Sequence, residues 1–244
     1  MSKKRVIARI DVKNEYAIKG IHLEGLRKVG DPNTLALKYY NSGIDEILFM
    51  DAVASYYDRN SLNNVISKAS NDIFVPITVG GGIRKIKDIQ NALNSGADKV
   101  SINTQCIKTP EFIDEASKVF GSQCIVASIE AKRDYNGNWY AYFDNGREPT
   151  NKKVTDWITE VQHRGAGEII LTSVDQEGTK KGIDLELIDT VDSICDVPLI
   201  ICGGIGKLDH VNEIKDYQID ALSIASVLHY DLLEVEEIKN TLNG

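Results

Sequence analysis

The chain has 244 residues, 42% of them hydrophobic and 26% charged, with a formal net charge of −8. That apolar content can fill one sizeable core, while the acidic balance excludes nonspecific nucleic-acid binding, which needs a basic face. No run approaches the roughly 20 apolar residues that span a bilayer, and "MSKK" runs straight into a strand, so neither a membrane span nor a signal sequence is expected.

The first strand, "RVIARID" (5–11), places Arg5, Ile7, Arg9 and Asp11 on one face, an unusual load of charge for a strand bound for a core. A helix-like "PNTLALKYYNSG" follows, then strands "EILFMD" (46–51) and "VPITV" (75–79). After the helical "KIKDIQNALNSG" come strand "KVSIN" (99–103), helix "PEFIDEASKVFG" and strand "CIVASIE" (124–130), whose face reads Val126, Ser128, Glu130. Helix "KVTDWITEVQHRG" leads to strands "EIILTS" (168–173), "PLIIC" (198–202) and "ALSIA" (221–225). Several helices stop at Gly, the favoured residue just past a helix end. A doubly wound open sheet shares this alternation, but eight strands without a linker fit an α/β fold of the (β/α)8 TIM-barrel type, one domain over 1–244.

An internal repeat supports the barrel. "GIDEILFM" (43–50) returns as "GAGEIILT" (165–172), "VPITVGGGI" (75–83) as "VPLIICGGI" (197–205), and "DKVSINT" (98–104) as "DALSIAS" (220–226), each 122 residues on. "DVK" (11–13) pairs with "EAK" (130–132). The chain reads as two fused half-barrels, about 1–122 and 123–244, and this period is far too long for a solenoid.

Barrel enzymes work at the C-terminal ends of their strands. Asp11 and Glu130 end the first strand of each half, so the repeat sets them across the mouth from one another. Opposed carboxylates suit general acid and base catalysis when their surroundings hold their pKa values apart. Strand capping, or pairing with Lys13 and Lys132, is the simpler alternative. Gly81 and Gly82 with Asn103 and Thr104, and Gly203 and Gly204 with Ala225 and Ser226, form twin glycine turns before helix starts. Such turns converge backbone N–H groups on phosphate. Two of them imply a substrate with a phosphate at each end and the carboxylates near its middle. Lys19, in the first βα loop, could reach over a bound phosphate or close a lid.

At the opposite end, Arg5, Glu46, Lys99 and Glu168 start four strands and face inward, giving a neutral ring of two cations and two anions. The ring reads either as a structural plug or as a polar gate on an axial passage. Four scattered histidines (22, 163, 210, 229) and four cysteines (106, 124, 195, 202) make no metal spacing and no glutaminase centre. No metal and no cofactor are expected, and the thiols suit a reducing cytoplasm. His229 reads as a helix-start or packing residue.

Nearly the whole chain resembles the cyclase subunits of imidazole glycerol phosphate synthase. The resemblance lies in "DVKN…IKGI", "GDP" (30–32), "DEILFMDAVAS" (45–55), "TVGGGIR" (78–84), "GADKVSINT" (96–104), "FGSQCIV" (120–126), "AKR" (131–133), "GAGEIILTSVDQEGT" (165–179) and "ASVLHY" (225–230). It implies ammonia-dependent cyclisation in histidine biosynthesis. A separate glutaminase docks on the N-terminal face of the barrel in a heterodimer, and ammonia passes a gate that falls on Arg5, Glu46, Lys99 and Glu168. The same resemblance places Asp98 and Gln123 on the docking face, and Thr172 and Asp175 beside the substrate. The chain departs from the family in Arg9, where a small cysteine is usual, and in Glu130 and Glu177, where aspartate is usual. A buried Arg9 needs a carboxylate; Glu130 and Asp11 are the nearest, and pairing would depress Glu130 and narrow the ammonia path. The departures leave two further readings: a paralogue that passes ammonia to a partner amidating a surface nucleotide sugar, and a scaffold without catalysis. Asp11 favours the cyclase over the paralogue, and the scaffold would leave the glycine turns unexplained.

Overall fold

A computed structural model describes residues 3–54 and 62–244; Ser55, which ends the "DEILFMDAVAS" signature, and Met1 and Ser2 of "MSKK" lie outside them. The strands are β1 (Arg5–Lys13), β2 (Tyr16–Ile21), β3 (Glu24–Gly30), β4 (Glu46–Asp51), β5 (Ile77–Gly80), β6 (Lys99–Ile102), β7 (Ile125–Arg133), β8 (Trp139–Phe143), β9 (Glu148–Lys153), β10 (Glu168–Ser173), β11 (Leu199–Cys202) and β12 (Ala221–Ile224). Eight of them close a parallel barrel in the order β1-β4-β5-β6-β7-β10-β11-β12, with β12 pairing back to β1. This is the (β/α)8 TIM barrel anticipated from the alternation.

Helices cover the outside: α1 (Pro32–Asn41), α2 (Asn63–Asp72), α3 (Ile86–Asn94), α4 (Thr104–Lys108), α5 (Glu111–Phe120), α6 (Val154–His163), α7 (Leu185–Val191), α8 (Leu208–Asn212), α9 (Ser226–His229) and α10 (Val235–Asn243). Their starts are written locally. Asp31 accepts the Thr34 N–H at 2.8 Å ahead of Pro32, the first residue of α1. On α5, Phe112, Ile113 and Ala116 form the buried stripe, and the helix stops at Gly121. The outward faces of the strands and these stripes make one continuous apolar shell. A second, smaller cluster fills the barrel itself: Ile7, Leu48, Val126, Ile170, Ile200, Cys202 and Ala221.

Three aspartates staple strand starts at the bottom. Asp45 accepts the N–H of Val6, Asp98 that of Ile77 and Asp220 that of Leu199, at 2.8, 2.8 and 2.9 Å. Each precedes a strand and satisfies a donor of the strand before it in chain order among the eight of the barrel. The repeat relates four such positions, 45 with 167 and 98 with 220; three carry the aspartate, and Gly167 takes the place before β10.

The first βα connection, read from sequence as a loop bearing Lys19, is instead a hairpin. β2 pairs antiparallel with β1 and β3 with β2. The second half matches it, because β8 pairs with β7 and β9 with β8. The two hairpins thus rise from the strands that bear Asp11 and Glu130.

Candidate functional site

Asp11 and Glu130 are both buried at the mouth, on β1 and β7, which stand four places apart in the ring of eight. Their settings differ. The Arg9 Nε–H donates to Asp11 Oδ1 at 2.8 Å, and Lys19 Nζ lies 3.6 Å from Oδ2. Burial alone would raise the Asp11 carboxyl, but Arg9 and then Lys19 outweigh it and hold the group below the ordinary carboxylate range. Glu130 accepts the Gly146 N–H on Oε2 at 2.7 Å, in the turn between β8 and β9. Here burial dominates and pushes the carboxyl up to about 7, against that hydrogen bond and the more distant Arg9.

Of the two carboxylates expected for Arg9, Asp11 is the one it takes, and the expected depression of Glu130 is thereby corrected. The guanidinium turns to Asp11, two residues along its own strand, and Nη1 reaches Cys202 Sγ at 3.5 Å on β11. Glu130 is left without a directly bonded cation, so desolvation decides its charge. Among the described residues, no ion pair joins Lys13 or Lys132 to either carboxylate; Lys132 lies over the Tyr142 ring at 5.1 Å.

Lys19 lies on β2 rather than in a loop. It is 3% exposed and pairs with Glu177 as well as Asp11. Arg9, Lys19, Asp11 and Glu177 form a buried cluster of two cations and two anions. Burial would raise Glu177, yet Lys19 and Arg9 outweigh it and lower its carboxyl. The His22 N–H donates to Glu177 O at 2.8 Å, and His22 Nδ1 meets Val174 O at 3.0 Å. The hairpin is thereby latched onto the loop after β10.

The two glycine turns flank this centre. Gly81, Gly82, Asn103, Thr104 and Glu130 line a cavity of about 270 Å³, together with Arg84 and Lys108. Gly203, Gly204, Ala225 and Ser226 occupy the equivalent place in the second half and are all buried, and the loop from Val174 to Gly182 packs on Gly203 and Gly204. The Gly182 N–H donates to Gly204 O at 2.9 Å. Gly204 has φ +97°, and a Cβ there would run into the Gly182 carbonyl. Gly204→Ala is therefore expected to lose roughly 1–3 kcal/mol of stability from backbone strain alone. A urea unfolding midpoint equal to wild type would contradict this packing. Thr172 is buried on β10, while Asp175 is exposed and accepts the Arg133 N–H at 3.0 Å.

At the bottom, Arg5 meets Glu46 at 2.7 Å and Glu168 at 2.8 Å. Lys99 meets Glu46 at 2.9 Å and Glu168 at 2.8 Å. The four side chains close a ring, and the Thr78 hydroxyl donates to Glu46 at 2.6 Å. Asp98 and Gln123 are both exposed near this end, and Asp98 also serves as a strand staple. His229 ends α9 rather than starting a helix, and its Nδ1 meets the Tyr39 hydroxyl at 2.7 Å. Burial, then Lys19, lowers its imidazole to about 4. Sequence reading missed Cys202 as a neighbour of Arg9 and Gly146 as a partner of Glu130. Glycine at 146 leaves no side-chain signal, and only the fold brings β11 beside Arg9.

Residues 5–234 match the family model described as "Histidine biosynthesis protein". The chain is 53% identical over 212 residues to the imidazole glycerol phosphate synthase subunit HisF of Legionella pneumophila, covering 87% of this chain and 100% of that relative. It is 42% identical to the subunit of the same name from Wolinella succinogenes, covering 99% and 95% of the two chains. With that of Streptococcus sanguinis it shares 38% identity, over 100% and 97%. The chain belongs to the histidine biosynthesis protein family and, within it, to the HisF subunits of imidazole glycerol phosphate synthase.

Proposed function

We propose that the barrel mouth is where ammonia cleaves a bisphosphorylated formimino-aminoimidazole carboxamide nucleotide and the ring recloses. The products are imidazole glycerol phosphate and aminoimidazole carboxamide ribonucleotide. The chain is the cyclase subunit of the synthase, an enzyme of histidine biosynthesis that works with a glutaminase partner. On this reading each of the two fused halves of the single domain holds one phosphate, one at Gly81, Gly82, Asn103 and Thr104 and the other at Gly203, Gly204, Ala225 and Ser226. Thr172 and Asp175 lie along the substrate, and Lys19 closes over it when released from Glu177.

The observation that supports this best is the unequal pair of carboxylates. Asp11, held ionised by two cations, takes a proton from the attacking ammonia. Glu130, with its carboxyl near 7, returns one to the departing nitrogen. The glutaminase docks at the N-terminal face, around Asp98 and Gln123. Its ammonia enters through the ring of Arg5, Glu46, Lys99 and Glu168. We place the assembly in the cytoplasm, in keeping with four free cysteines. The relatives above carry the synthase name and lend no support to the sugar-amidation reading. The purified chain is expected to turn over the bisphosphorylated nucleotide with an ammonium salt at mildly alkaline pH. No product under those conditions would overturn the assignment.

A further inference from the structure

The barrel interior is closed at more than one level. Side-chain exposure is 29% for Arg5 and 13% for Lys99 at the bottom, and Arg9 and Glu130 are each 7% exposed at the top. Between them Ile7, Leu48, Val126, Ile170 and Ile200 are at most 2% exposed. A molecule the size of water, as ammonia is, passes only when side chains move. The aliphatic layer yields by rotamer changes that break no hydrogen bond. Arg9 is different, because specific partners fix it.

From β1 its guanidinium spans the inner face of β12 to reach Cys202 on β11, while Nε holds Asp11. Ser223, the β12 residue in register with both Ile7 and Cys202, keeps a buried hydroxyl without a partner, and so does Ser101 on β6. Buried hydroxyls left unpaired in a barrel interior point to a small polar guest. Arg9 overhangs the strand that carries one of them.

We infer that Arg9 is a positioning residue that stops the axial passage while clamped to Asp11, and opens it when the nucleotide engages Asp11. The inference rests on the ammonia delivery proposed above. A buried guanidinium cannot shed its charge, so it follows the nearest anion. A nucleotide group that donates a hydrogen bond to Asp11 takes this anion away from the guanidinium before ammonia arrives. The next one is Glu177, whose Oε2 lies 3.8 Å from the same Cys202 Sγ. The guanidinium therefore moves toward the loop after β10, away from the barrel axis. Passage from below is thus tied to the presence of a substrate above.

The test uses the barrel assembled with its glutaminase partner, amide-¹⁵N glutamine, and excess unlabelled ammonium. It reads the ¹⁵N fraction of the imidazole product. In wild type, nitrogen from the partner reaches a committed substrate and labelled product dominates. In Arg9→Ala the passage stands open and internal ammonia mixes with bulk. The odds of labelled to unlabelled product are expected to fall about fivefold, the low end of typical site-to-site coupling. Because this is a ratio within each variant, a loss of turnover common to both nitrogen sources cancels. Arg9→Lys retains a cation for Asp11 but not the span to Cys202, and the same direction of change is expected should Arg9→Ala fold poorly. Unchanged odds in both variants would overturn the role of Arg9. Wild type that takes no label from glutamine would instead overturn the delivery reading.

Discussion

Asp11→Asn is expected to abolish cyclisation and to destabilise the barrel, and the two effects are separable. Catalytically, the substitution removes the member of the opposed pair that its neighbours keep ionised. General acid–base groups typically contribute 10²–10⁴-fold, so a fall in ammonium-supported kcat of about that size is expected. Structurally, the buried cluster now balances Arg9 and Lys19 against Asp11 and Glu177. Asparagine leaves one positive charge uncompensated. Breaking a buried ion pair from one side costs about 3–5 kcal/mol, reduced here because the amide oxygen still accepts the Arg9 Nε–H. Pairing the change with Arg9→Met removes the orphaned cation. The double variant is expected to recover most of the lost stability in urea unfolding while remaining inactive. Ammonium-supported turnover within threefold of wild type in Asp11→Asn would remove Asp11 from the chemistry.

The barrel strands were legible because strands buried on both faces read as short apolar runs between turn residues, and a repeated register fixed their order. The bottom ring was legible for a related reason. Inward positions recur every second residue, so Arg5, Glu46, Lys99 and Glu168 at strand starts had to meet. The same rule placed Arg9 inside but left its partner open. A long side chain from β1 reaches along its own strand or across the barrel, and the pattern does not distinguish Asp11 from Glu130. The hairpins left a weak trace because β3, "EGLRKVG", has no fully buried residue and pairs only with β2. The charge of Glu130 was misjudged because it depends on the water excluded by the β8–β9 hairpin and on the Gly146 N–H, neither of which a sequence displays.

Glu130 carries the second large prediction, and its sign follows from burial. Its carboxyl rises from an ordinary 4.5 to about 7 in the folded chain. Between those values the folded state binds more proton than the unfolded state, so stability falls as pH rises through that window and then levels off. At 1.36 kcal/mol per unit, the loss attributable to this group is about 3 kcal/mol. Glu130→Gln removes the titration, and its unfolding free energy is expected to lack that decline between pH 4.5 and 7. The same group governs rate. Acting as the acid, Glu130 must be protonated, so kcat corrected for free ammonia is expected to fall above about pH 7. In Glu130→Gln that limb disappears and the residual rate drops by roughly 10²–10⁴-fold. A variant that keeps the alkaline limb would assign it to another group. One that keeps wild-type turnover would leave Asp11 without a partner, and the opposed pair would then be a feature of the fold rather than of the reaction.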